Sequence, residues 1–202
     1  MTITTHTRVG WALCGSFCTL AEGVRALREF AGETGARITP IMSGITRRQD
    51  TRFGAAEDFA AEVEAICGAP VLSTVAEVEP IGPKELLDLL IIAPCTGNTL
   101  AKLNAGIADT APTMAAKAHL RGGRPVLLAL STNDALSGAA KNIGALLDRK
   151  HVYFVPFRQD APESKPRSCT ADLTLVGAAA EAALDGRQLQ PILLAPAGGD
   201  AV

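Results

Sequence analysis

Leu89-Leu90-Ile91-Ile92-Ala93-Pro94-Cys95-Thr96-Gly97-Asn98-Thr99-Leu100-Ala101-Lys102 is the stretch whose reading decides the fold. Its apolar opening reads as a buried strand that stops at a proline. A cluster of small and polar residues follows, and then Leu100, Leu103 and Ile107 open a helical pattern. A strand that runs through Thr-Gly-Asn-Thr into a helix N-terminus gathers free backbone N–H groups and hydroxyls at one point. That is a seat for an anion or a polar ring edge. The same threonines and asparagine also serve as ordinary caps on a core helix.

The pattern repeats on both sides. Val9 to Leu13 is an apolar run ending in Cys14-Gly15-Ser16-Phe17, and Leu20, Val24, Leu27 and Ala31 then form a helical stripe closed by Gly35. Arg37 to Met42 predicts a strand that stops at Ser43-Gly44. Phe59, Val63 and Ile66 mark a helix ended by Gly68, and Pro70 to Leu72 reads as a short strand. Beyond the central stretch, Thr113 to Leu120 predicts a helix stopped by Gly122-Gly123, and Pro125 to Leu130 a strand ending in Ser131-Thr132-Asn133-Asp134. Ile143, Leu146 and Leu147 mark another helix, Val152 to Val155 a strand, and Leu173, Val176, Ala180 and Leu184 the last helix. Gln159 to Arg167 reads as a charged loop containing prolines. Ala195 to Val202 reads as a frayed tail, so the domain is taken as residues 1–194. Continuous apolar strands alternating with helices predict a three-layer α/β/α, Rossmann-like (flavodoxin-like) parallel sheet in a single domain.

Composition bounds the function. Hydrophobic residues make up 48% and charged residues 20% of 202 positions, which is globular. A net charge of −2 with one Trp and one Tyr argues against a nucleic-acid surface. The sequence holds no apolar stretch of the roughly 18 residues needed to span a bilayer. Its polar N-terminus lacks the apolar core of a secretory signal, so a cytoplasmic location without a membrane is expected. Five cysteines, at 14, 18, 67, 95 and 169, have no metal-ligand spacing and read mostly as small apolar fillers.

In a doubly wound sheet the ligand lies beyond the carboxyl ends of the strands. Four strand ends here carry small polar residues: Gly15-Ser16, Ser43-Gly44, Thr96-Gly97-Asn98-Thr99 and Ser131-Thr132-Asn133. No Gly-x-Gly-x-x-Gly opens a helix and no Gly-Lys-Ser/Thr follows a strand. The pocket therefore suits a phosphate-bearing ligand held by hydroxyls and amides, without a pyrophosphate turn.

Pro94 to Lys102, continuing to Gly106-Ile107-Ala108-Asp109, resembles the Pro-x-x-x-Asn-Thr-x-x-Lys…Gly-x-x-Asp signature of flavoproteins of the cysteine-decarboxylase type. Asp50-Thr51-Arg52-Phe53-Gly54, Glu79-Pro80-Ile81-Gly82-Pro83-Lys84 and Ser131 to Leu136 resemble the dipicolinate synthase B-subunit family within that superfamily. Val152 to Phe157, Gln159 to Glu163 and Gln188 to Pro191 share that resemblance, which spans roughly Val9 to Leu194. It implies FMN as cofactor and a trimer-based homo-oligomer with sites at subunit contacts. Gly15, Ser16 and Phe17 would meet the flavin, with Ser43 and Thr46 completing phosphate binding. Thr96, Gly97, Asn98 and Thr99 would hold phosphate and ribityl oxygens, and Ser131, Thr132 and Asn133 would lie under the ring system.

The implied activity is oxidation of a dihydro- or hydroxytetrahydro-dipicolinate to pyridine-2,6-dicarboxylate with a dehydrogenase-like dipicolinate synthase A subunit, through which NAD(P) enters indirectly. The alternatives are an FMN-dependent decarboxylase, a flavin prenyltransferase-like enzyme, and a non-catalytic binding or assembly subunit. A small dicarboxylate substrate calls for cationic clamps, for which the candidates are Arg47, Arg48, Arg52, Lys84, Lys165 and Arg167. Arg52 and Lys165 are favoured because they fall inside the family-like motifs, and Asp134 is the candidate base. One departure stands out: the family tends to carry Lys-Pro-Asn-Ser-Met where this chain has Lys165-Pro166-Arg167-Ser168-Cys169.

Overall fold

Trp11, Leu13, Ile91 and Leu127 have no solvent exposure at all, which places the runs that carry them in the centre of the molecule. In the computed structural model, which describes residues 2–195, these runs are β1 (Arg8–Leu13), β2 (Arg37–Met42), β3 (Leu89–Cys95), β4 (Val126–Thr132) and β5 (Val152–Phe154). All five pair in parallel in the order β2-β1-β3-β4-β5. That is the flavodoxin-like order, in which the chain switches direction between β1 and β3.

The helices are α1 (Phe17–Thr34), α2 (Gly44–Arg48), α3 (Ala56–Cys67), α4 (Val75–Val78), α5 (Gly97–Ala105), α6 (Ala111–Arg121), α7 (Ala140–Leu147) and α8 (Val176–Leu184). The α1 helix contacts α3 and α8, whereas α5 contacts α6 and α7. Two groups of helices thus enclose strands that are buried along their length, as β3 is at every residue. Gly35 ends α1 in the left-handed region, at φ 61°, and its N–H reaches the Ala31 carbonyl, as the sequence predicts. Trp11 links sheet to helix: its indole N–H donates to the Ala93 carbonyl at 3.2 Å, and its ring lies 5.4 Å from that of Phe30 on α1.

Two expectations need correction. Pro70 to Leu72 is not a strand but a single parallel bridge between Leu72 and Ile41. Pro70 has no N–H to give a ladder, and the Val71 N–H is taken by Glu64 Oε1 at 2.9 Å. The segment from Gln159 to Arg167 is not simply a loop, and the sheet is not wholly parallel. Its flanks form β6 (Phe157–Gln159) and β7 (Cys169–Ala171), an antiparallel pair. The β7 strand also pairs antiparallel with the end of β4, Thr170 opposite Ser131 and Cys169 opposite Thr132. Residues 160–168 are thereby carried to the carboxyl ends of the parallel strands. Of the expected frayed tail, Pro196 to Val202 lie outside the described residues.

Candidate functional site

The ends of β1, β3 and β4 meet as the topology requires. The turns that follow them line a cleft of about 1060 Å³, together with the segment 160–170. Gly15, Ser16 and Phe17 come from the first turn, Thr96, Gly97 and Asn98 from the second, and Ser131, Thr132, Asn133 and Asp134 from the third. Three hydroxyls close into a ring at its base. Ser16 Oγ and Ser131 Oγ lie 3.0 Å apart, Thr19 Oγ1 donates to Ser16 Oγ at 2.9 Å, and Thr19 Oγ1 lies 3.0 Å from Ser131 Oγ. Each hydroxyl has one proton and two lone pairs, so the three satisfy one another yet can turn toward an incoming anion.

The first turn of α5 supplies the second set of donors. Thr96 accepts the Thr99 N–H at 3.1 Å through its hydroxyl and the Leu100 N–H at 2.9 Å through its carbonyl. Gly97 and Asn98 remain as the open first-turn amides on the cleft wall. Gly97 has a specific reason to lack a side chain: a Cβ there would meet Thr132 Oγ1 at 2.7 Å and Asp134 Oδ1 at 2.9 Å. Those two atoms form a 2.5 Å hydrogen bond in which Thr132 donates to the carboxylate. The Asp134 carboxylate is therefore held by its own turn.

Charge enters from the segment between β6 and β7, where Asp160, Lys165 and Arg167 all line the cleft. The segment is braced by Lys165 N–H to the Ala161 carbonyl at 2.7 Å and by Gln159 Nε2 to the Pro166 carbonyl at 2.9 Å. The Leu136 N–H donates to the Arg167 carbonyl at 3.0 Å, which ties the segment to the β4 turn. Lys165 Nζ lies 3.5 Å from Asp160 Oδ2 and is well exposed.

Several of the residues singled out in the sequence, among them Ser43, Thr46, Thr99, Arg52 and the candidate clamps Arg47, Arg48 and Lys84, do not line this cleft. Ser43 and Thr46 are buried, with their hydroxyls 2.6 Å apart in the cap of α2. Thr99 is buried beside Thr96, its hydroxyl 3.0 Å from that of Thr96. Arg52 lies on an exposed turn with its guanidinium 4.9 Å from the centre of the Phe53 ring. The Lys102 of the signature is spent on Asp109, with both carboxylate oxygens 2.9 Å from Nζ, and this pairing holds the Asp109 carboxyl below its usual range.

Thr19 and Asp160 are cleft residues that the sequence reading misses. Thr19 has a legible signal, since it lies three residues after the Ser16 cap position, where side chains meet across one turn. Asp160 has none, because its place depends on the β6–β7 pairing. Burial favours the neutral form of three thiols near the site. Burial pushes Cys14 up to about 11 against partial relief from Thr99 and the Thr96 backbone, and Cys95 and Cys169 are also raised by burial.

The Flavoprotein family matches this chain over residues 2–182. The B subunit of dipicolinate synthase from Bacillus subtilis is 39% identical over 187 residues, covering 93% of each chain. The crystal structure of the dipicolinate synthase B subunit from Bacillus halodurans superposes with a TM-score of 0.87 at 37% identity, covering 96% of this chain and 98% of that one. A dodecameric FMN-dependent UbiX-like decarboxylase from Escherichia coli O157:H7 is more distant, with a TM-score of 0.60 at 25% identity over 74% and 80% of the two chains.

Proposed function

This chain belongs to the Flavoprotein family, and we propose on that premise that it is the FMN-carrying B subunit of a dipicolinate synthase. Its reaction would be the oxidation of a dihydro- or hydroxytetrahydro-dipicolinate to pyridine-2,6-dicarboxylate, alongside a dehydrogenase-like partner that brings in NAD(P). The observation that carries this reading is the crest of the sheet, where a ring of three hydroxyls and the open amides of α5 face one cleft.

The donor set fits a flavin phosphate without a metal, since hydroxyls and helix amides are neutral donors suited to a dianion. Ser16, Thr19 and Ser131 would hold the phosphate, with Gly15, Phe17, Thr96, Gly97, Asn98, Thr132 and Asn133 around the rest of the cofactor. Ser43, Thr46 and Thr99 would support those turns from behind. FMN, when bound, supplies a two-electron acceptor. Lys165 and Arg167 line the same cleft as the hydroxyl ring and would each take one substrate carboxylate, Arg167 in the bidentate manner open to a guanidinium. Asp134, with one oxygen fixed by Thr132, would orient the substrate or accept its proton. A homo-oligomer built on trimers would complete the cleft, in keeping with the dodecameric decarboxylase of similar fold. Arg52 then becomes a candidate to reach a neighbouring protomer's site.

The test is to purify the chain with FMN and assay product formation with and without the dehydrogenase-like partner. The reading predicts dipicolinate by mass when both are present. Loss of carbon dioxide from a cysteine-containing acid would favour the decarboxylase alternative. FMN binding with no contribution to turnover would leave an assembly role.

A further inference from the structure

The sheet has a second concave site at its other edge. A cavity of about 390 Å³ opens where α6 ends before β4 and where residues 149–150 lead into β5. Those are the amino ends of the strands, so this cavity lies at the edge opposite the cleft. One wall is α6, with Lys117 and Arg121 one turn apart on the same face. The other is the turn carrying Arg149 and Lys150. Met114 and Leu120 of α6 contribute apolar lining, and Glu79 is the one acid among the lining residues.

The cations are available. Among the described residues, Lys117, Arg121 and Lys150 form no ion pair, whereas Arg8, Arg28, Arg47, Arg124 and Arg158 each do. Arg149 is positioned rather than neutralised, because its Nη1 donates to the Leu103 carbonyl at 2.9 Å and leaves the remaining donors of the guanidinium. The segment Glu79 to Pro83 is seated tightly against α6. A Cβ on Gly82 would meet the Ala118 carbonyl oxygen at 2.8 Å and the Ala118 Cβ at 2.9 Å. Nothing in the cleft uses this segment, although it carries one of the motifs singled out in the sequence.

Four like charges around one concavity raise the local potential unless an anion sits among them. Each wall offers one arginine and one lysine, and α6 adds apolar lining beside its two cations. We infer that this cavity is a binding site for a small flat dianion, a dicarboxylate with one carboxylate on Lys117 and Arg121 and the other on Arg149 and Lys150. The volume falls in the range of small-molecule sites. Guanidinium groups on both walls favour planar carboxylates, which they can engage bidentately. The inference does not depend on the flavin reading, since it uses no residue of the cleft.

Isothermal titration of the purified chain with isophthalate at low salt tests it, with benzoate as the single-charge control. Because isophthalate also resembles the dicarboxylate proposed for the cleft, the titration uses a Lys165→Gln/Arg167→Gln background. The expected result there is saturable one-to-one binding with a Kd of about 1 mM or tighter, and benzoate weaker by at least about tenfold. The double variant Lys117→Gln/Arg121→Gln and the single variant Lys150→Gln, each on a separate wall, should both weaken isophthalate, the former by at least about tenfold. Should the double variant fail to fold, which a thermal melt would show, Lys150→Gln alone decides. The wall variants are compared in that same background. Equal binding of benzoate, unchanged affinity in the wall variants, or no saturation by about 10 mM would each overturn the site.

Discussion

At the scale of single residues, Gly97 carries more of the site than any side chain of α5. With no Cβ it admits the Thr132–Asp134 hydrogen bond directly behind the helix N-terminus. Gly97→Ala must displace one of those partners, and we expect it to weaken FMN by at least about tenfold in a fluorescence titration while leaving the melting temperature within a few degrees. Unchanged affinity would show that the turn tolerates the methyl group. His119 offers a separate prediction. It is 2% exposed, and burial lowers its pKa to about 4, against a weaker upward pull from the Pro125 carbonyl. The unfolded chain takes up a proton near pH 6.5, whereas the fold refuses it until about pH 4. Stability therefore holds above pH 6.5 and falls through that window, by roughly 3 kcal/mol. Denaturant midpoints across pH 7 to 4 should decline in the wild type and decline less in His119→Gln. Parallel curves would mean that other groups set the acid limb.

The elements show which parts of the fold are legible in the sequence. Strands β1, β3 and β4 are apolar at nearly every position because both of their faces are covered, and such runs announce themselves. The three-residue strands β6 and β7 are too short to display any period, so the segment they brace reads as a loop. That loss matters for function, since Asp160 joins the cleft only through that pairing. By contrast, Ser16, Gly97 and Ser131 follow from the rule that ligands sit beyond strand ends. Helix α1 is seated on the sheet at Gly23, where a Cβ would come within 2.6 Å of Pro94 Cδ and 3.3 Å of the Ala93 carbonyl oxygen. Gly23→Ala should push the helix off the strand that feeds the cleft. The expected cost is about 1–3 kcal/mol in chemical denaturation. A neutral result would mean that Pro94 relaxes freely.

For the whole molecule, the division of labour between the two edges of the sheet is the main conclusion. The carboxyl edge gathers neutral donors, two cations and three acids around one cleft, and the amino edge gathers four cations and one acid around another. Among the described residues no helix is long and apolar enough to cross a membrane. The dehydrogenase-like partner proposed above leaves no readable signal, because a binding face for a second protein has no period and no fixed motif. What can be read is that the cleft is open on one side, with Lys165 and Arg167 exposed.

Titrating FMN into the purified chain while following flavin fluorescence tests the central claim most directly, when run beside a Ser16→Ala/Ser131→Ala variant. The account predicts one FMN per chain for the wild type. The variant should keep its fold and lose at least about tenfold in affinity, because two of the three phosphate-facing hydroxyls are gone. Equal affinity in the two proteins, or no FMN uptake by the wild type, would contradict it.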